Sequence, residues 1–114
     1  KLVVSDVQKQ SVVATLPIGA RVDGVGFDPA KGLAFSSNGE GTLTVVHEDS
    51  PAKFSVVGNV PTALGARTLA FDSASRRIFL ITAQFGLAPD STAAQPRPRR
   101  PMLPGSFQVM VFGE

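Results

Sequence analysis

The chain repeats itself at an interval of 44 residues. Val12-Val13, Pro17, Phe27-Asp28 and Phe35 recur as Val56-Val57, Pro61, Phe71-Asp72 and Phe79. "ARVDGVGFDPAKGLAF" and "ARTLAFDSASRRIF" both read as strand, Asp turn, strand. Alternating patterns arise by chance, but four anchors at one offset do not. A period in this range marks stacked units that bury their faces on one another. A unit of this length with four strands has the size of one propeller blade.

Between the anchors the apolar residues alternate with a period of two, the pattern of half-buried strands. "KLVVSDV" and "SVVATLPIG" flank the polar "QKQ" as a hairpin. "VDGVGFD" and "GLAFSSN" flank "PAK", a turn opened by Asp28-Pro29. "TLTVVHE", "FSVVGNV", "RTLAFD", "RIFLITA" and "SFQVMVF" complete nine strands. The competing element is a helix over 62–74 with Leu64, Ala66 and Leu69 on one stripe, but Gly65 interrupts it and β-branched residues flank it. The expected fold class is all-β: a β-propeller fragment of about two to two and a half four-stranded antiparallel blades.

These residues resemble the YVTN-repeat β-propeller family, the YncE-like group, at its C-terminal blades. The family's Tyr-Val-Thr-Asn motif lies on the second strand of each blade. Phe35-Ser36-Ser37-Asn38 occupies that place here, followed by Gly39, and Phe79-Leu80-Ile81-Thr82 occupies it in the next unit. "GFDP" and "AFDS" match the family's strand and Asp turn, and the resemblance covers nearly the whole chain. It implies a ring of several blades, and export to the periplasm or the cell exterior. Many such proteins have no assigned activity.

With strands lettered a to d from the ring axis outward, residues 1–18 supply c and d of one blade. Residues 19–61 form a complete blade, and 62–114 supply a, b and c of the last. The last blade carries a Pro- and Arg-rich insertion at about 84–105, placed by aligning Phe107–Val111 with Leu43–His47 at an offset of 64. The chain opens on Lys1 without a leader or an initiator Met, as a processed or truncated chain or a fragment would. Blades bury their faces only against neighbours. The expected partners are therefore the remaining blades, or further copies of this chain. Three copies hold roughly the strand number of a seven-bladed ring, so a closed trimer is one form of that association. No stretch is long and apolar enough for a membrane helix, so no membrane insertion is expected.

Chemistry is sparse. The chain has no Cys, which removes thiol chemistry and Cys-ligated zinc. His47 is the only histidine, so neither a His–His metal site nor an independent Ser–His pair can be assembled, and it reads as a solvated strand-end residue beside Glu48-Asp49. Gly24-Val25-Gly26 reads as a crowded innermost strand and Gly39-Glu40-Gly41 as a turn; neither opens a helix as a phosphate cradle does. Asp28 and Asp72 read as turn formers, and Arg76-Arg77 as a solvated strand opening. No catalytic residue, metal ligand or cofactor is therefore expected.

The candidate ligand or partner site is the channel-mouth face, where the d-to-a and b-to-c connections meet. Arg21, Asn38, Arg67 and Gln84 fall there. The first expectation for Arg21 and Arg67 is an ion pair with Asp23 or Asp72; the second is an anionic ligand held by their guanidinium groups. Arg97, Arg99 and Arg100 on the insertion are the other candidates, against a role as a lid over neighbouring blades. With Asp90 they account for the whole net charge of +2.

The function expected is a non-catalytic scaffold or binding module. The alternatives are a propeller subunit of a cofactor-dependent oxidoreductase or electron-transfer system, and nucleic-acid binding. The last is disfavoured by balanced charge and few stacking aromatics.

Overall fold

Alternating apolar residues between Asp, Gly and Pro turns form nine strands in the computed structural model, which describes residues 1–113. They are β1 (Leu2–Asp6), β2 (Ser11–Leu16), β3 (Val22–Asp28), β4 (Leu33–Asn38), β5 (Thr42–Ser50), β6 (Lys53–Pro61), β7 (Arg67–Asp72), β8 (Arg77–Thr82) and β9 (Gln108–Phe112). The described residues contain no helix; the segment competing as one becomes a turn and β7. Three antiparallel sheets result, β1-β2, β3-β4-β5-β6 and β7-β8-β9, and the arrangement is blade-like.

Register recurs at the interval seen in the sequence. Gly26 faces Phe35 and Phe27 faces Ala34; 44 residues on, Ala70 faces Phe79 and Phe71 faces Ile78. Each hairpin turns on its aspartate. Asp28 accepts the Ala30 N–H at 2.9 Å, and Asp72 accepts those of Ala74 at 3.1 Å and Ser75 at 3.3 Å. The last strand corrects the alignment made from sequence. Asn38 pairs with Thr42, whereas Thr82 pairs with Gln108, so the offset is 66 rather than 64. Residues 39–41 of the middle sheet thus correspond to residues 83–107 of the last, and the insertion is two residues longer than expected.

The core lies between the middle and last sheets. Phe35, Leu43, Ala66, Ile78 and Leu80 are buried there, with Leu69, Phe71, Met110 and Phe112 packed around them. The Phe35 and Phe71 rings meet tilted, centroids 5.5 Å apart. β3 and β7 approach closely because β3 carries glycine. A Cβ at Gly24 would stand 2.6 Å from the Leu69 nitrogen, and one at Gly26 would stand 2.8 Å from Leu69 Cδ2. Inner strands crowd in this way where blades converge.

Arg76 does not stay solvated as expected. Its Nε reaches across to the buried Asp28 carboxylate at 3.2 Å and ties the two sheets together. A cleft of about 460 Å³ opens between these sheets beside that pair; among the described residues the last sheet has three strands against four in the middle one.

The shape is that of an array with open ends. The Cα radius of gyration is 17.0 Å, against about 13 Å for a compact chain of this length. The accessible surface is 7734 Å², against roughly 5,900 Å² for a compact monomer of this mass.

Candidate functional site

The β2–β3, β4–β5, β6–β7 and β8–β9 connections converge at one end of the sheets. Gly39 N–H donates to the Arg21 carbonyl at 2.9 Å, Gly65 N–H to that of Gly39 at 2.9 Å, and Thr62 N–H to that of Gly41 at 2.8 Å. A depression of about 500 Å³ opens among them, lined by Arg21, Gly39, Leu64, Gly65, Arg67, Ala83, Gln84, Phe85 and Arg100. Among the described residues, no acidic side chain lines it.

Gly39 sets the spacing of the two leading arginines. A Cβ there would come within 3.1 Å of Arg67 Cδ and 3.2 Å of Arg21 Cβ, so both stems run over its bare backbone. The ion pairs expected for these arginines do not form. Asp23 instead accepts the Thr68 N–H at 3.0 Å and its hydroxyl at 3.3 Å. Asp72 serves its own turn, accepting the Ser75 hydroxyl and the Ala74 N–H, which together hold its carboxyl below the ordinary value of 3.8. Among the described residues, neither Arg21 nor Arg67 has an ion-pair partner.

The backbone around them is strained. Arg21 has φ of 58° and Thr68, next to Arg67, also has φ of 58°. For residues bearing a Cβ the left-handed region costs roughly 1–2 kcal/mol. Arg21 and Arg67 are not equivalent, although both follow alanine in the sequence. The position 44 residues after Arg21 is Gly65, with φ of 76°. The connection therefore needs a left-handed residue, and one unit supplies glycine where the other supplies arginine.

The remaining candidates separate. Gln84 and Arg100 line the depression, whereas Arg97 and Arg99 stand on the exposed part of the insertion and do not. Arg100 is already engaged: Nε donates to the Gly86 carbonyl at 2.6 Å and Nη2 to that of Phe85 at 3.1 Å. With Gly86 N–H to Pro101 O and Leu103 N–H to Gln84 O, both 2.8 Å, it braces a short two-stranded stem at the base of the insertion.

Asn38 lies beneath the end rather than at its surface. It is fully buried, accepts the Ser36 hydroxyl at 2.8 Å, and donates to Thr42 Oγ1 at 3.0 Å and Thr44 Oγ1 at 2.9 Å. Thr44 continues the chain to Asn59 at 2.6 Å. Such a satisfied network fixes the Gly39 turn and, through it, both arginine stems.

Sequence reasoning missed Leu64 and Phe85, the exposed apolar members of the lining. The signal for Phe85 was an aromatic three residues past the end of β8, at the root of an insertion. His47 lies away from this depression, with Nδ1 2.7 Å from the Asp49 carboxylate. No group of three or more metal-ligating side chains occurs among the described residues. Compared with protein-family models, curated proteins and solved structures, the chain matches none of them.

Proposed function

We propose that this chain is a non-catalytic β-propeller segment of the YVTN-repeat type, a scaffold or binding module that works within a larger ring. The ring is completed by further blades or by further copies of the chain. One observation carries the reading. Leu43 on the middle sheet is 2 % exposed because the last sheet covers it, whereas Val109, its register equivalent on the last sheet, is 54 % exposed.

The same holds around it. Ile81 and Val111 share the outward face of the last sheet with Val109, and Val25 and Phe27 stand open on β3 at the other end of the array. The surface in excess of a compact monomer is roughly the total area that a stable protein–protein interface buries. A solvent-facing role would place polar residues at these positions.

Light scattering on the purified chain tests this. The expected result is association at micromolar concentration, or exposed apolar surface that binds a hydrophobic dye. A monodisperse, dye-silent monomer with cooperative unfolding overturns it.

A further inference from the structure

Two arginines of this chain occupy left-handed backbone at positions whose 44-residue counterpart is glycine. Arg76, φ of 56°, stands opposite Gly32, φ of 61°; Arg21, φ of 58°, stands opposite Gly65, φ of 76°. In each pair glycine meets the backbone requirement without strain, so arginine needs a reason in its side chain. Arg76 has one, the buried Asp28 carboxylate at 3.2 Å. Arg21 has none among the described residues. It lines the depression together with Arg67, which likewise lacks an ion-pair partner among the described residues.

We infer that the Arg21–Arg67 depression binds a small organic anion, a phosphate or carboxylate joined to a flat apolar group. This rests on the chain being a binding module. Two arginines, in a lining with no acidic side chain among the described residues, offer bidentate donors for an oxyanion. The lining also has apolar members: Phe85, which is 51 % exposed, with Leu64 and Ala83. An exposed aromatic next to arginines offers a surface for a ring to stack on. Gln84 adds an amide to the lining, and Gly65 adds no side chain to it. The volume, about 500 Å³, fits a small molecule. Arg100 closes the wall through Phe85 and Gly86 and acts as a positioning residue.

The test is calorimetric titration of the full chain at low ionic strength with phenyl phosphate, benzoate, inorganic phosphate and benzyl alcohol, with light scattering on the same samples. Phenyl phosphate or benzoate binds saturably, inorganic phosphate binds about tenfold more weakly, and benzyl alcohol does not bind. The stronger of the two aromatic anions identifies the head group. Arg21→Gly and Arg67→Met each weaken binding about tenfold or more, as expected for loss of a charge-assisted donor pair. Arg77→Met, which removes the same charge away from the depression, leaves binding unchanged.

Arg21→Gly also leaves the thermal midpoint unchanged or raises it, because it relieves the left-handed strain. A purely structural arginine would lower it. The inference is overturned if neither aromatic anion binds, if Arg77→Met weakens binding as much as Arg21→Gly, or if Arg21→Gly lowers the midpoint and leaves binding intact. Absence of binding in a sample that still associates removes the ligand and leaves the scaffold reading standing. Binding by a stable monomer does the reverse.

Discussion

The middle and last sheets are built on one plan and differ in what surrounds them. β3 and β4 pair as β7 and β8 do, and each hairpin is pinned by an aspartate that accepts backbone N–H groups. Yet Phe35, Leu43 and Val45 of the middle sheet lie against a neighbour, while Ile81, Val109 and Val111 on the corresponding face of the last sheet lie open. In the proposed ring a further unit would cover this face as the last sheet covers the middle one.

The polar side differs as well. Ser36 and Asn38 belong to a buried hydrogen-bonded network beneath the arginine-lined end, whereas their counterparts are Leu80, buried in the core, and Thr82, whose hydroxyl reaches the Leu64 carbonyl at 3.1 Å. Polar anchoring in one unit is replaced by apolar packing in the next.

The sharpest way to break this comparison is to truncate equivalent residues. Leu43→Ala should destabilise folding by about 3 kcal/mol, through lost transfer energy and a residual cavity. Val109→Ala, at the equivalent position, should change the denaturant midpoint of the separated chain hardly at all. Equal losses from the two would mean that the last sheet is already covered.

The two aspartates give the next largest contrast. Asp28→Ala should cost about 2 kcal/mol, because it removes a buried carboxylate that accepts from the Arg76 guanidinium and the Ala30 N–H. Asp72→Ala should cost less, since Asp72 is exposed and serves only its own turn. Chemical denaturation of both variants reads the order directly.

Thr62 sharpens the comparison from the other side. Its hydroxyl is buried without a hydrogen-bond partner, and the position 44 residues earlier carries Ile18. Thr62→Val should raise stability by about 1 kcal/mol, since it removes an unsatisfied group and keeps the shape. A loss of stability would mean that the hydroxyl is satisfied in solution.

The smallest effect is in acid. The Ser75 hydroxyl and Ala74 N–H hold the Asp72 carboxyl below its ordinary 3.8, and His47, then Ser55, do the same for Asp49. Because the folded values are lowered, this stabilisation is complete above about pH 4 and is lost as pH falls through the folded values. Asp72→Asn should flatten part of that acid slope and leave stability near neutral pH little changed in its pH dependence.

The strands and the Asp turns were legible because period-two patterning and turn chemistry are local. The register of β9 was not. A run such as Val109-Met110-Val111 keeps its faces under a two-residue slip, so the pattern accepts an offset of 64 as readily as 66. Asn38 sits on a strand covered by the β2–β3 connection around Gly19, so its burial is a tertiary fact. The fate of Asp23 was equally hidden, since Thr68 competes with the arginines for its carboxylate. The strain at Arg21 was partly legible in Gly65, its glycine counterpart, once the interval was known.

The most direct measurement of the central claim is the molar mass of the chain by light scattering across a concentration series, for the native sequence and for Val109→Glu/Val111→Glu. The native chain should associate. The doubly charged face should return it to a monomer with an unchanged β-sheet circular dichroism spectrum. A native chain that stays monomeric and binds no hydrophobic dye, or a variant that associates as strongly as the native chain, would contradict the account that this face waits for another blade.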